Sequence, residues 1–270
     1  MSIHLGLQRQ IIIPAIPIIP DAMLLRDDVE LLDGLPIAYI KSIDSIVLSD
    51  LHLGYESHMA KKGAFIPKVN LKKIIKEIGS AISISRAKSI IVVGDIKNEF
   101  STVGDDEFNE LYEIIEFCKE RKVNLVLIKG NHDNFIERYK KPFGLEVFNN
   151  EAQIGRYLFF HGDRNPKFSG KPRMLIAGHE HPAIGIVKSV GRTERLRCFL
   201  LAKYKGIDLL VLPAISYFAS GSEINLQSGS NILSPVLRNV DIESAHAIAI
   251  GYGSTVDFGT IGNLRKLNYR

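Results

Sequence analysis

From Lys41 to the middle of the chain, short β-branched runs alternate with longer segments of helical period, and this alternation constrains the fold more than any other feature. It is the pattern of strands joined by crossover helices. SIVLSD, ending at Asp50, is the first clear strand. Between Asn70 and Ile82 the apolar residues Leu71, Ile74, Ile75, Ile78 and Ile82 recur at three-or-four spacing with lysines opposite, which is one face of a helix laid on a sheet. SIIVVGD follows. A second amphipathic helix then turns Phe108, Leu111, Ile114, Ile115 and Cys118 inward behind an acidic first turn of Asp105, Asp106 and Glu107. NLVLIKG is the next strand. Beyond it RYLFFHGD, RMLIAGHEH and LLVLPAIS come without long helices between them. ASGSEINLQSGSN reads as a loop, and AHAIAIGYG with STVDFGTIGNL reads as a closing hairpin.

A chain of 270 residues with 46% hydrophobic content can bury a sizeable core, and one α/β domain over residues 1–270 is the expected organisation. The net charge of +4 gives only mild attraction to phosphate-rich partners, so a nucleic-acid partner is permitted without being demanded. Cys118 and Cys198 lie outside any metal-ligand spacing and read as reduced packing thiols of an intracellular protein. The apolar stretch from Ile11 to Pro20 is interrupted by Pro14, Pro17 and Pro20 and falls short of the roughly 20 residues a membrane helix needs. No basic segment of a signal peptide precedes it, so the cytoplasm is the expected compartment and no membrane partner is expected. Exposed strand edges would allow a homo-oligomer.

Five strands end in residues able to bind metal. The endings are Asp50-Leu51-His52, Gly94-Asp95, Gly130-Asn131-His132-Asp133, His161-Gly162-Asp163 and Gly178-His179-Glu180-His181. In extended chain, residues two apart point the same way, so Asp50 with His52, and His179 with His181, can each offer two ligands to one site. Mixed carboxylate, imidazole and amide ligands suit manganese, iron or zinc, and the absence of cysteine argues against a structural zinc site. Taken singly the pieces are weak. An isolated Asp-x-His is more often a surface turn, and Gly-Asp after a strand is a common turn or helix cap. Gly-Asn-His-Asp and Gly-His-Glu-His are sharper, because a structural turn has no use for the imidazoles. His4, His58 and His246 lie outside these endings and read as ordinary residues.

The ordered series D-x-H, G-D, G-N-H-D, H and G-H-x-H resembles the signature of the calcineurin-type metallophosphoesterase superfamily. DLHLGYE, GDIKNEF and LPAISYFASGSEIN further resemble its small archaeal and bacterial branch, similar to the DNA-ligase-associated phosphoesterases. That branch usually carries histidine where this chain has Asn98, which can still hydrogen-bond a phosphate oxygen. The resemblance implies a β-sandwich of two mixed sheets flanked by helices, in four layers of α, β, β and α. It implies two divalent ions per chain, manganese first, with iron, zinc, nickel and magnesium as alternatives. One ion would be held by Asp50, His52, Asp95 and His181, and the other by Asp95 as bridge, Asn131, His161 and His179.

The chemistry so implied is hydrolysis of a phosphate ester by metal-activated water, with a nucleotide or nucleic-acid phosphodiester as the favoured substrate. His132 would stabilise the phosphoryl oxygens or protonate the leaving alcohol, with Asp133 holding the imidazole. Lys97 and Asn98 could touch substrate phosphate, although Lys97 reads more readily as part of a solvated loop. Asp163 and Glu180 read as groups behind the ligands or on the surface. The alternatives within enzymes are a DNA or RNA nuclease and a phosphomonoesterase. Lys188, Arg192, Arg195 and Arg197 could touch a nucleic-acid backbone, but with Glu194 among them a solvated hairpin is the simpler reading. A scaffold that keeps the fold without catalysis tends to lose ligands, and every matched position is present in this chain.

Overall fold

The computed structural model describes residues 22–26, 28–99, 105–189, 192–219, 221–227 and 229–268. The stretch from Ile11 to Pro20 and His4 lie outside them. The first sheet holds β1 (Ala22–Arg26), β2 (Val29–Leu32), β3 (Ala38–Ile40), β4 (Ser45–Leu48), β5 (Ser89–Val93), β6 (Asn124–Ile128) and β7 (Glu146–Phe148), side by side in chain order. The strands up to β4 pair antiparallel, and those from β4 to β7 pair parallel. The parallel connections carry α1 (Tyr55–Lys61) and α2 (Asn70–Ser85), then α3 (Asp105–Glu120), then α4 (Lys140–Phe143).

The second sheet is built from β8 (Glu151–Ile154), β9 (Tyr157–Phe160), β10 (Met174–Ala177), β11 (Pro182–Ser189), β12 (Arg192–Tyr204), β13 (Ile207–Val211) and β14 (Ser222–Glu223). Its order is β14-β11-β12-β13-β10-β9-β8, with β9, β10 and β13 parallel. β15 (His246–Gly251) and β16 (Ser254–Thr260) form a hairpin attached to β12, and α5 (Ile261–Asn268) closes the described chain.

The period of two along the strands sorts the apolar side chains into three cores. Ile46, Leu48, Ile90, Val92 and Leu127 face the helix side, where they meet Ile74, Ile78 and Ala81 of α2 and Leu111, Ile114, Ile115 and Cys118 of α3. Val47, Ile91, Val93, Val126 and Ile128 point the other way, against Tyr157, Phe159, Ile176 and Leu210 of the second sheet. Leu158, Phe160, Leu175, Leu209 and Val211 form the third core under Ile261 and Leu264 of α5. The result is the expected helix, sheet, sheet, helix sandwich. Ile74 and Ile78 are fully buried, so truncating either to alanine would cost about 2–5 kcal/mol.

Two parts of the architecture differ from the sequence reading. Three short antiparallel strands, β1 to β3, precede the SIVLSD strand. The segment IGNL does not continue the closing hairpin but starts α5, which buries Ile261 and Leu264. The two sheets also touch at one end. Ser49 bridges Ala214, the Ile215 amide donates to Ser49 O (3.0 Å), and the Ser216 amide donates to Asp50 O (3.1 Å).

Candidate metal centre

The strand-end turns converge at this junction, and their backbone is unusual. Asp50 (φ 59°), His52 (47°), Asp95 (48°), His179 (71°) and His181 (48°) all lie in the left-handed region. Side-chain-bearing residues rarely adopt it, and each such residue costs of order 1 kcal/mol unless its surroundings hold it there. The surroundings are hydrogen bonds between turns. The Asp50, His52 and Leu53 amides donate to Gly94 O (3.1 Å), Asp95 O (3.0 Å) and Ile96 O (2.8 Å), and the Gly178 amide donates to His161 O (2.8 Å). Two glycines allow the close approach. A Cβ at Gly94 would collide with the His161 ring, and one at Gly130 with Asp95 Oδ1.

The side chains gather in two joined clusters. In one, ligand atoms of Asp50, His52 and His181 lie within 4.8 Å of one another. His181 Nε2 is 3.2 Å from Asp50 Oδ1 and 3.4 Å from His52 Nε2. In the other, Asp95, His161 and His179 are equally close. His161 Nε2 is 3.2 Å from Asp95 Oδ2, 3.2 Å from His179 Nδ1 and 3.1 Å from Asn131 Oδ1. Asp95 also belongs to a third group with His52 and His132, so it joins the two clusters. The donor set fits divalent cations. Asp50 Oδ1 is buried with no hydrogen-bond partner, and ring nitrogens face one another in pairs, an arrangement that a shared cation satisfies better than shared protons.

Electrostatics point the same way. Burial, helped by the nearby His181, pushes His52 down to about 4. Burial and the neighbouring His161 do the same to His179, also to about 4. His161 is buried as well, which opposes its charge, yet Asp95 and Asp50 outweigh burial and push it up to about 10. Burial alone would raise Asp50 and Asp95, but the facing imidazoles hold both carboxyls below the usual range. Two carboxylates thus stay charged and His52 and His179 neutral, as metal ligation requires, while a cation at His161 would have to replace its proton.

Other residues named from the sequence fall into varied places. The His132 amide donates to Asp95 Oδ1 (3.0 Å), and the ring sets Nδ1 2.6 Å from the main-chain carbonyl of Asn98 and Nε2 3.7 Å from Asp95 Oδ2. Asp133 does not hold that imidazole. Its carboxylate turns inward, where Oδ1 accepts from the Ile96 and Lys97 amides (2.9 and 3.2 Å) and Oδ2 from the Gly130 amide (2.8 Å). Burial, with Asp95 close by, pushes Asp133 up to about 7. Lys97 is not solvated. It is 2% exposed, with its ammonium donating to Glu99 O. Glu180 is buried and accepts from the Ser234 amide (2.7 Å), while Asp163 pairs with Arg164 (2.8 Å). Arg192 is exposed, Arg195 pairs with Glu223 (3.0 Å), and Arg197 donates to Ala214 O (3.0 Å); the side chain of Lys188 lies outside the described part. Cys118 and Cys198 are free and buried. Beside His52 and His181 opens a cavity of about 320 Å³ whose wall includes Tyr55 and Phe218, two rings that no motif singled out. Their only signal is that both fall in blocks carrying the branch resemblance.

The family model described as calcineurin-like phosphoesterase matches residues 45–211, more than half of the chain and all of the ligand-bearing turns. The chain belongs to this family. Among solved structures, the Pseudomonas putida nuclease MPE shares the phosphoesterase fold, with a TM-score of 0.60 and 17% identity, covering 84% of this chain and 94% of that one. Yfce, a phosphoesterase from E. coli, aligns with a TM-score of 0.40 and 13% identity, over 80% of this phosphoesterase and 98% of its own chain. No curated protein sequence matches the chain. Among the described residues, no helix is long and apolar enough to cross a membrane.

Proposed function

We propose that this phosphoesterase is a two-metal phosphodiesterase acting on nucleotide or nucleic-acid diesters. The observation that carries the reading is the position of Asp95, 3.2 Å from His161 Nε2 in one cluster and within 4.8 Å of a ring nitrogen of His52 in the other, from which it could bridge two ions. Asp50, His52, Asp95 and His181 would hold one divalent ion, and Asp95, Asn131, His161 and His179 the other, with manganese the first expected. Two such ions, when bound, lower the pKa of a water toward about 7 and clamp the attacking and leaving oxygens of an in-line displacement.

The remaining work falls to the chain. His132 donates Nδ1–H to Asn98 O, which orients the ring; when Nε2 also carries a proton, the imidazolium would stabilise a phosphoryl oxygen or hand that proton to the leaving alkoxide. Because that bond uses the main chain of Asn98, it does not depend on which side chain stands there. Asp133 acts by positioning, since its three amide contacts tie the turn after β5 to the turn after β6. Residues 1–270 would form one domain of a cytoplasmic protein; the central core drawn from both sheets speaks for the single domain.

Purified protein is expected to carry about two transition ions per chain and, loaded with manganese, to hydrolyse bis(p-nitrophenyl) phosphate. Elemental analysis and a colorimetric assay check both. Metal-replete protein that is inert across a panel of mono- and diesters overturns the proposal.

A further inference from the structure

The cavity beside His52 and His181 has a composition that the hydrolytic chemistry does not explain. Tyr55 and Phe218 lie in its wall as a stacked pair, with ring centroids 5.2 Å apart and planes 13° from parallel, and Leu233 and Ala219 extend the apolar lining. Asn98, Glu180 and Ser222 give it polar edges. Neither ring is fully buried. Both belong to segments fastened to the ligand turns. Tyr55 begins α1 with its amide on His52 O (3.3 Å), and the residues just before Phe218 are held by the Ser216 amide on Asp50 O (3.1 Å) and the Tyr217 amide on Asn70 Oδ1 (2.8 Å). Asn70 is buried and its Nδ2–H donates to Leu51 O (3.1 Å), so one side chain ties the aromatic segment to the Asp50 turn. Lys73 places its ammonium 3.0 Å from the centroid of Tyr217, which puts positive charge on the ring next to the platform.

We propose that Tyr55 and Phe218 form a stacking platform for the nucleobase adjoining the scissile phosphate, so that a base, and not only a phosphate ester, is what the site selects. The inference rests on the phosphodiesterase reading and narrows it to nucleic-acid and nucleotide substrates. A flat ring pair suits a base because every base offers a π face, and stacking is indifferent to sequence. The fixed tether to the metal turns means that little ordering is needed when the base arrives.

The test is fluorescence of a short single-stranded oligonucleotide containing 2-aminopurine, first in EDTA, where nothing is cleaved, and then in magnesium. The protein has no tryptophan, so the signal is the probe's own. Wild-type protein is expected to quench the probe. Tyr55→Leu and Phe218→Leu should raise its Kd about tenfold or more while keeping the wild-type melting profile and metal content. Tyr55→Phe restores the ring and with it the quenching. In the manganese-loaded enzyme, KM for a base-bearing dinucleotide should be lower than for its abasic analogue, and the leucine variants should erase that difference. Equal quenching by wild type and both leucine variants overturns the platform, as does a ring dependence confined to p-nitrophenyl esters. Intact, ring-dependent quenching with no hydrolysis of any diester leaves the platform standing and sinks the phosphodiesterase reading instead.

Discussion

The two ligand clusters are built alike yet are electrically different. The cluster of Asp50, His52 and His181 opens on the aromatic cavity, whereas the cluster of Asp95, His161 and His179 is centred on an imidazole with no exposed surface. In the first, His181 is raised by its contact with Asp50 while His52 is pushed down to about 4. In the second, Asp95 and Asp50 outweigh burial and push His161 up to about 10. The difference teaches that a cation entering the second cluster would have to displace a proton held by two carboxylates, while the first cluster lies beside the cavity.

Removing the shared carboxylate should have the largest effect, because it breaks both clusters together. Asp95→Ala is expected to lose both ions and to lower diester turnover by about a thousandfold or more, since several kcal/mol of charge stabilisation go with them. Elemental analysis with steady-state kinetics checks this; one retained ion would mean that the clusters are not joined through Asp95. His132→Ala comes next. It should keep both ions and lose about a hundredfold or more in turnover, and unchanged turnover would remove His132 from the reaction.

His179→Ala and His181→Ala sharpen the comparison further. Each should bring the metal content from about two ions to about one, and the ion lost should belong to the cluster that was cut. If both variants lose both ions, the two clusters act as a single site. The smallest effect is a proton count. With Asp95 and Asp50 pushing His161 up to about 10 against its burial, metal uptake at pH 8 should release about one proton from it, and apparent affinity should rise as pH rises toward that value. Calorimetry in buffers of different ionisation enthalpy measures the release; no dependence on buffer would contradict the charged state of His161.

Most of the architecture was legible because its central strands, buried on both faces, are continuous apolar runs and its helices keep a clean period of 3.6. The segments that escaped are short or abrupt. β2 and β3 are broken by the half-buried Glu30 and Tyr39 and so lack a continuous apolar run, and α5 follows β16 with no intervening turn. In the site, spacing was enough to gather ligand-type residues from five turns. It could not say how neighbours divide their work. His132 and Asp133 are adjacent in sequence, but their side chains diverge, one to the Asn98 carbonyl and the other to three amides beneath the turns. Lys97 looked solvated because lysine in a loop usually is, whereas it is 2% exposed and feels the carboxylates of Glu107 and Asp133, which arrive from separate segments. Tyr55 and Phe218 meet only because two distant segments fold together, which no local pattern encodes.

The left-handed backbone at Asp50, His52, Asp95, His179 and His181 narrows what random change can do to this protein. Aspartate, asparagine and histidine tolerate that geometry better than other side-chain-bearing residues, and glycine tolerates it best. A library randomised at these five positions and sorted for folding alone would return a short alphabet much like the one that binds cations.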